Sequence, residues 1–134
     1  MREVIKYIKF ITGDFVICGS MALYLHNIIE DYNPNEIDII VDLPNRDLDY
    51  NKDFTSHTSN RFGSRGWSAK YGDVYIDVYN KPLPEYDEVV VDGLKMNIKT
   101  IQALKEHYLS LDIDNIDGHE RFKQKLLTRI DLFK

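Results

Sequence analysis

The chain has 134 residues with 43% hydrophobic and 29% charged positions, a formal net charge of −5 and a pI near 5.3. Those proportions belong to one soluble globular domain and give no overall basic field to drive nucleic-acid binding. No apolar run approaches the roughly 20 residues of a membrane span, and the single cysteine, Cys18, excludes an internal disulfide and reads as a small buried thiol.

From the N-terminus, Val4, Ile8 and Ile11 recur at helical spacing and stop at Gly13, which predicts an amphipathic helix over residues 3–12. The opening MREVIKYIKF alternates charge with hydrophobe and lacks a signal-peptide core, so an intracellular, cytoplasmic protein is expected. Phe15 to Cys18 reads as a central strand. A second helix is expected from Ser20 as N-cap, through Ala22, Leu25, Ile28 and Ile29, to a stop before Asn33-Pro34. Glu36 to Val41 is then a strand, with Ile37, Ile39 and Val41 on one face and Glu36, Asp38 and Ile40 on the other.

Residues 43–70 read as a long polar loop with one irregular strand. "DVYIDVYN" predicts a further strand, with Val74, Ile76 and Val78 on one face and Asp73, Tyr75, Asp77 and Tyr79 on the other. "EVVVDGLKMN" predicts a hairpin turning at Asp92-Gly93. Two helices close the chain. The first runs from about Ile98 to Leu111, capped by Asn97, with Ile101, Leu104, Tyr108 and Leu111 inward. The second runs from about His119 to Phe133, with Phe122, Leu126, Ile130 and Phe133 inward. The expectation is one α+β domain over 1–134, a small mixed sheet packed by helices, with core motifs in 15–79 and C-terminal helices in about 98–133.

Chemistry concentrates in Glu36, Asp38 and Asp77. Residues two apart on a strand project from one face, and an acid on a neighbouring strand completes a cluster. Carboxylates so close repel, and a bound cation compensates; hard oxygen ligands select magnesium, which also bridges to substrate phosphates. Gly19-Ser20, at a strand-to-helix turn, lets a phosphate approach free backbone N–H groups. Taken singly, each feature also has a plain structural reading, as a turn with a serine cap or as a solvated strand face. Their order along the chain points instead to metal-assisted phosphoryl-type transfer.

The stretch "VICGSMALYLHNI…NEIDIIVD…VYIDVYN" resembles the nucleotidyltransferase superfamily of minimal enzymes with the DNA polymerase β-like fold. Its pattern is an apolar residue, Gly, Gly or Ser, then acid-apolar-acid, then a third acid on a later strand. "VVDGLKMNIKTIQALKEHYL…ERFKQKLLTRIDLF" is similar to the tail of standalone bacterial and phage members, including relatives of the AbiEii and MenT toxins. The resemblance implies a nucleotidyltransferase-like fold with Gly19 and Ser20 on the β and γ phosphates of a nucleoside triphosphate. It also implies Glu36 and Asp38 on two magnesium ions, Asp77 completing the site of the metal that binds the acceptor hydroxyl and able to take its proton, and Lys105 on the triphosphate. Arg121 and Lys125, one turn apart, supply a second phosphate contact or bind the acceptor. Glu36 stands where Asp is commoner in the family.

The reaction implied is transfer of a nucleoside monophosphate to an acceptor hydroxyl on an RNA end such as tRNA, a protein or a small molecule. Trp67, Tyr71, Tyr75 and Tyr79 are candidates to stack on a base. The rival expectation is a catalytically inactive module of the same fold, of the kind an antitoxin or phage-defence protein would use. Richness in Ile, Asn, Lys and Tyr suits an AT-rich genome, such as that of a phage or mobile element.

Overall fold

A computed structural model of the chain describes residues 2–58, 65–116 and 118–134. In chain order the elements are α1 (Arg2–Thr12), β1 (Val16–Cys18), α2 (Gly19–Leu25), β2 (Glu36–Val41), α3 (Asn45–Asp49) and β3 (Thr55–His57). They continue with β4 (Gly66–Tyr71), β5 (Val74–Asn80), β6 (Tyr86–Val91), β7 (Leu94–Lys99), α4 (Ile101–Ser110) and α5 (Glu120–Asp131), with a single 3-10 turn at Ile113–Asn115. The seven strands form one sheet in the order β3, β4, β5, β2, β1, β7, β6. β2 runs parallel to β5 and β1 parallel to β7, while the remaining neighbours are antiparallel. The architecture is therefore the small α+β one with a mixed sheet.

Pairing register divides the sheet into two faces of different chemistry, because residues opposite each other on adjacent strands share a face. Ile17, Ile39, Val78 and Trp67 stand in one row, and Ile37, Ile76 and Ala69 in another. All are buried and belong to a core that also takes Val4, Ile5 and Ile8 of α1 and Met21, Ala22 and Leu23 of α2. Full burial of each such aliphatic side chain contributes about 1.5–3 kcal/mol, so this face anchors the fold. The other face carries Cys18, Asp38, Asp77 and Ser68 in a single register row.

The local turns follow from side-chain chemistry. Gly13 ends α1 with a positive φ of 78° and an amide donating to the Lys9 carbonyl at 2.9 Å. Asp92 and Gly93 both have positive φ, as the tight primed turn between β6 and β7 requires.

Four expectations are corrected. Helix α2 ends at Leu25 rather than near Asn33, because Asn27 adopts a left-handed φ of 61° and Ile28 donates back to Leu23 at 2.9 Å, closing a Schellman-type cap. Its N-cap is Cys18, and Ser20 lies inside the first turn. The polar stretch after Val41 is more regular than a loop: it holds α3, β3 and β4, with Leu48, Phe54 and Trp67 buried among polar neighbours; the part of that reading on 59–64 lies outside the described residues. Asn97 is in β7, and α4 starts three residues later from Thr100, which leaves Ile101 exposed at 49% on the first turn.

Thr100 accepts a hydrogen bond from the Ala103 amide at 3.0 Å, which satisfies one orphan donor of α4. Thr100→Ala is expected to cost about 1 kcal/mol, read as a lower urea midpoint, and Thr100→Ser should recover most of it.

Candidate functional site

The polar row on the second sheet face forms the floor of a cavity of about 610 Å³, roofed by Leu104, His107 and Tyr108 of α4 and Phe122, Lys125, Leu126 and Arg129 of α5. The register of β2 with β5 sets Asp38 directly against Asp77, and the two side chains share a hydrogen bond. Two carboxyls hydrogen-bond each other only when one holds a proton. The Asp38 carboxyl is accordingly pushed up to about 7, chiefly by burial and by the Asp77 charge, with the Lys125 ammonium opposing and Glu36 adding to the rise. Glu36 lies two residues before Asp38 on the same face but is exposed, at the mouth of the cavity.

Gly19 fits against this pair. It has a positive φ of 65°, and a Cβ built there would collide with the Asp38 carboxylate. Only glycine lets the strand-to-helix turn approach the acid so closely. Ser20 is half-buried in the cavity wall beside it, and no side chain caps the first turn of α2, which leaves its N–H groups directed at the same space.

The same cavity is also lined by cations. Lys99 is only 6% exposed, and its pKa is lowered by desolvation, with the Cys18 thiol opposing and Lys81 adding to the fall. Lys81, Lys99, Lys125 and Arg129 all line the cavity. Among the described residues the ion pairs are Arg65 with Asp49 and Lys95 with Glu88, so none of these four cations has a carboxylate partner. Arg129 Nε is buried without a hydrogen-bond acceptor. His107, between them, is held near a pKa of about 4 by burial and by the Lys99 and Lys81 charges, and is neutral at pH 7. Burial likewise pushes the Cys18 thiol up to about 12, the Asp38 charge adding, which removes it as a nucleophile.

The structure therefore brings together Gly19, Ser20, Asp38 and Asp77, with Glu36 at the rim. It does not bring Lys105 or Arg121 to them: both are exposed and lie outside the cavity wall. The reason is helical phase. Leu104, His107 and Tyr108 face inward on α4, as do Phe122, Lys125, Leu126 and Arg129 on α5, and Lys105 and Arg121 fall beside those stripes. Lys125 and Arg129 share the spacing of the apolar stripe from Phe122, a signal present in the sequence. Lys99 had no such signal, since Lys95, Asn97 and Lys99 alternate identically along β7 and only tertiary packing covers the last.

Among the described residues no three His, Cys, Asp or Glu side chains are gathered as a ready-made metal cage. The Asp38–Asp77 pair still suits magnesium, which commonly takes one or two carboxylates and fills the remaining positions with water and substrate phosphate oxygens. No family model, curated protein or solved structure matches the chain.

The two large shifts have opposite linkage. The raised Asp38 pKa contributes stability that is complete below pH 3.8 and is lost as pH rises through about 7. The depressed His107 pKa contributes stability present above pH 6.5 and lost as pH falls through about 4. In metal-free protein Asp38→Asn should make the urea midpoint rise more steeply from about pH 4 to 7, and His107→Gln should make it fall over the same window.

Proposed function

We propose that the chain is a magnesium-dependent nucleotidyltransferase that moves a nucleoside monophosphate from a nucleoside triphosphate to an acceptor hydroxyl. One observation carries the reading. Asp38 and Asp77 meet side by side against Gly19 in a cavity that is also lined by Lys81, Lys99, Lys125 and Arg129, none of them in an ion pair among the described residues. Such a cavity suits a ligand with anionic groups at one end that also brings a cation to the acids. A magnesium–triphosphate meets both conditions.

In this reading Asp38 and Asp77 hold magnesium and Glu36 contributes its charge from the rim. Magnesium, when bound, supplies charge neutralisation on the phosphates. Gly19 and Ser20 offer backbone N–H groups to the phosphate nearest the acids. Lys99, Lys125 and Arg129 take the distal phosphates, in place of Lys105 and Arg121. α4 and α5 limit water in the cavity, which strengthens each of these charge interactions. The acceptor oxygen attacks the α-phosphorus in line and pyrophosphate leaves, so positioning and electrostatics carry most of the rate enhancement.

The test is calorimetric titration with each of the four nucleoside triphosphates, in magnesium and in chelator. Magnesium-dependent binding of at least one triphosphate is expected, lost in Asp38→Asn and Asp77→Asn. Lys99→Met separates function from folding: it should weaken binding about ten- to a hundredfold through loss of a charged hydrogen bond worth about 1.5–3 kcal/mol. It should also leave the fold as stable as before or more so, since it deletes a buried charge that lacks a counter-ion. No binding to any triphosphate would overturn the assignment and leave a non-catalytic module.

A further inference from the structure

Next to the polar row, on the β3 side of the acids, lies an imidazole with no part in the nucleotide site. Ser68 on β4 is the register partner of Asp77, is 5% exposed, and hydrogen-bonds His57 Nε2 at 2.8 Å. His57 is on β3, the strand at the end of the sheet, and its ring lines the same cavity. Of the two tautomers this contact permits, the one in which Nε2–H donates to Ser68 Oγ leaves the lone pair on Nδ1, which has no hydrogen-bond partner among the described residues. A ring that lines a cavity and has one nitrogen fixed by a buried hydroxyl is the arrangement expected of an oriented proton acceptor.

Its position relative to the charges gives it a role. In sheet order the row reads Ser68 (β4), Asp77 and Asp38 (β5, β2), then Cys18 and Lys99 (β1, β7); on β3, Thr55 stands opposite Ser68 and His57 lies two residues further along the same face. Adjacent strands lie about 4.8 Å apart, so Lys99 stands about two strand spacings beyond Asp38, while His57 stands on the other side of the acids, two strands beyond Asp77 and two residues along β3 from the acid row. If the acids mark the α-phosphorus and Lys99 marks the departing phosphates, in-line geometry brings the acceptor from the β3–β4 side.

We infer that His57, oriented by Ser68, takes the proton of the acceptor hydroxyl, and that the acceptor enters at the β3–β4 end of the cavity. The inference rests on the nucleotidyl-transfer reading. In the step, the acceptor oxygen bonds to the α-phosphorus as the bond from that phosphorus to the bridging oxygen breaks. Pyrophosphate leaves with the bonding pair, and the hydroxyl proton passes to His57 Nδ1.

Water serves as the probe acceptor, with pyrophosphate release from the triphosphate that binds as the readout. His57→Ala is expected to lower turnover about 100-fold, at the low end of general-base contributions, with triphosphate affinity unchanged. Added imidazole should restore turnover to His57→Ala but not to Ser68→Ala, because only the former leaves a space that a free base can fill. Circular dichroism checks folding, and His57→Gln replaces His57→Ala if the latter fails to fold, with the same loss of turnover at unchanged affinity expected. An unchanged rate in the folded variant, a loss that imidazole does not rescue in His57→Ala, or triphosphate binding by the wild type without pyrophosphate release would each overturn the inference while the nucleotide site stands. Absence of triphosphate binding would overturn the underlying reading and this one with it.

Discussion

The arrangement depends on the contact between Asp38 and Asp77, which the parallel pairing of β2 with β5 forces to occupy adjacent positions on one sheet face. In a desolvated setting two like charges cannot both ionise without compensation, so the pair either shares a proton or recruits a cation. The surroundings are arranged around that choice. Gly19 has no side chain to crowd Asp38, and Lys125 reaches across from α5 to ease its ionisation. The other sheet face is packed with Ile17, Ile37, Ile39, Ile76 and Val78, and that packing fixes the register which holds the two acids together. A slip of one residue would exchange the two faces of β2 and remove the site and the core together.

The second feature is the separation of charge along the row. A buried ammonium at Lys99 with no carboxylate nearby is costly by itself, and evolution of a purely structural core would favour a hydrophobic residue there. Lys81, Lys99, Lys125 and Arg129 also line the cavity that holds the acids, and among the described residues none of them is in an ion pair. An unneutralised arrangement of this kind is explained if a ligand of mixed charge completes it, a strain borne by the empty fold in return for affinity.

Legibility in the sequence followed physical locality. Strand β2 and the acids on it were readable because period-two alternation records directly which side chains share a face, and the hairpin at Asp92-Gly93 was readable because its φ angles demand those residues. The early end of α2 was not, since Asn27 terminates a helix only if it adopts the left-handed conformation, and nothing in the pattern from Ala22 to Ile29 requires that. Lys105 was misplaced by a fraction of a helical turn, because Ile101 was taken as part of the inward stripe of α4 when it sits exposed at its start, and Arg121 falls beside the α5 stripe that Phe122, Lys125 and Arg129 share. The clustering of Asp77 with Asp38 was expected from the acids on the polar faces of two strands, but their register was not, and neither the burial of Lys99 nor the contact of His57 with Ser68 leaves a mark in the local pattern, because both depend on tertiary packing.

The measurement that reaches the central contact most directly is a carboxyl-carbon NMR titration of the aspartates in metal-free protein, repeated with magnesium, with Asp38→Asn to assign the signal. A carboxyl that titrates near pH 7 without metal, disappears in Asp38→Asn and moves into the ordinary carboxylate range when magnesium is added would match the shared-proton, cation-exchanging pair described here. Aspartates that all titrate near pH 4 with or without magnesium would contradict it, and would make the two acids independent residues of a solvated strand face.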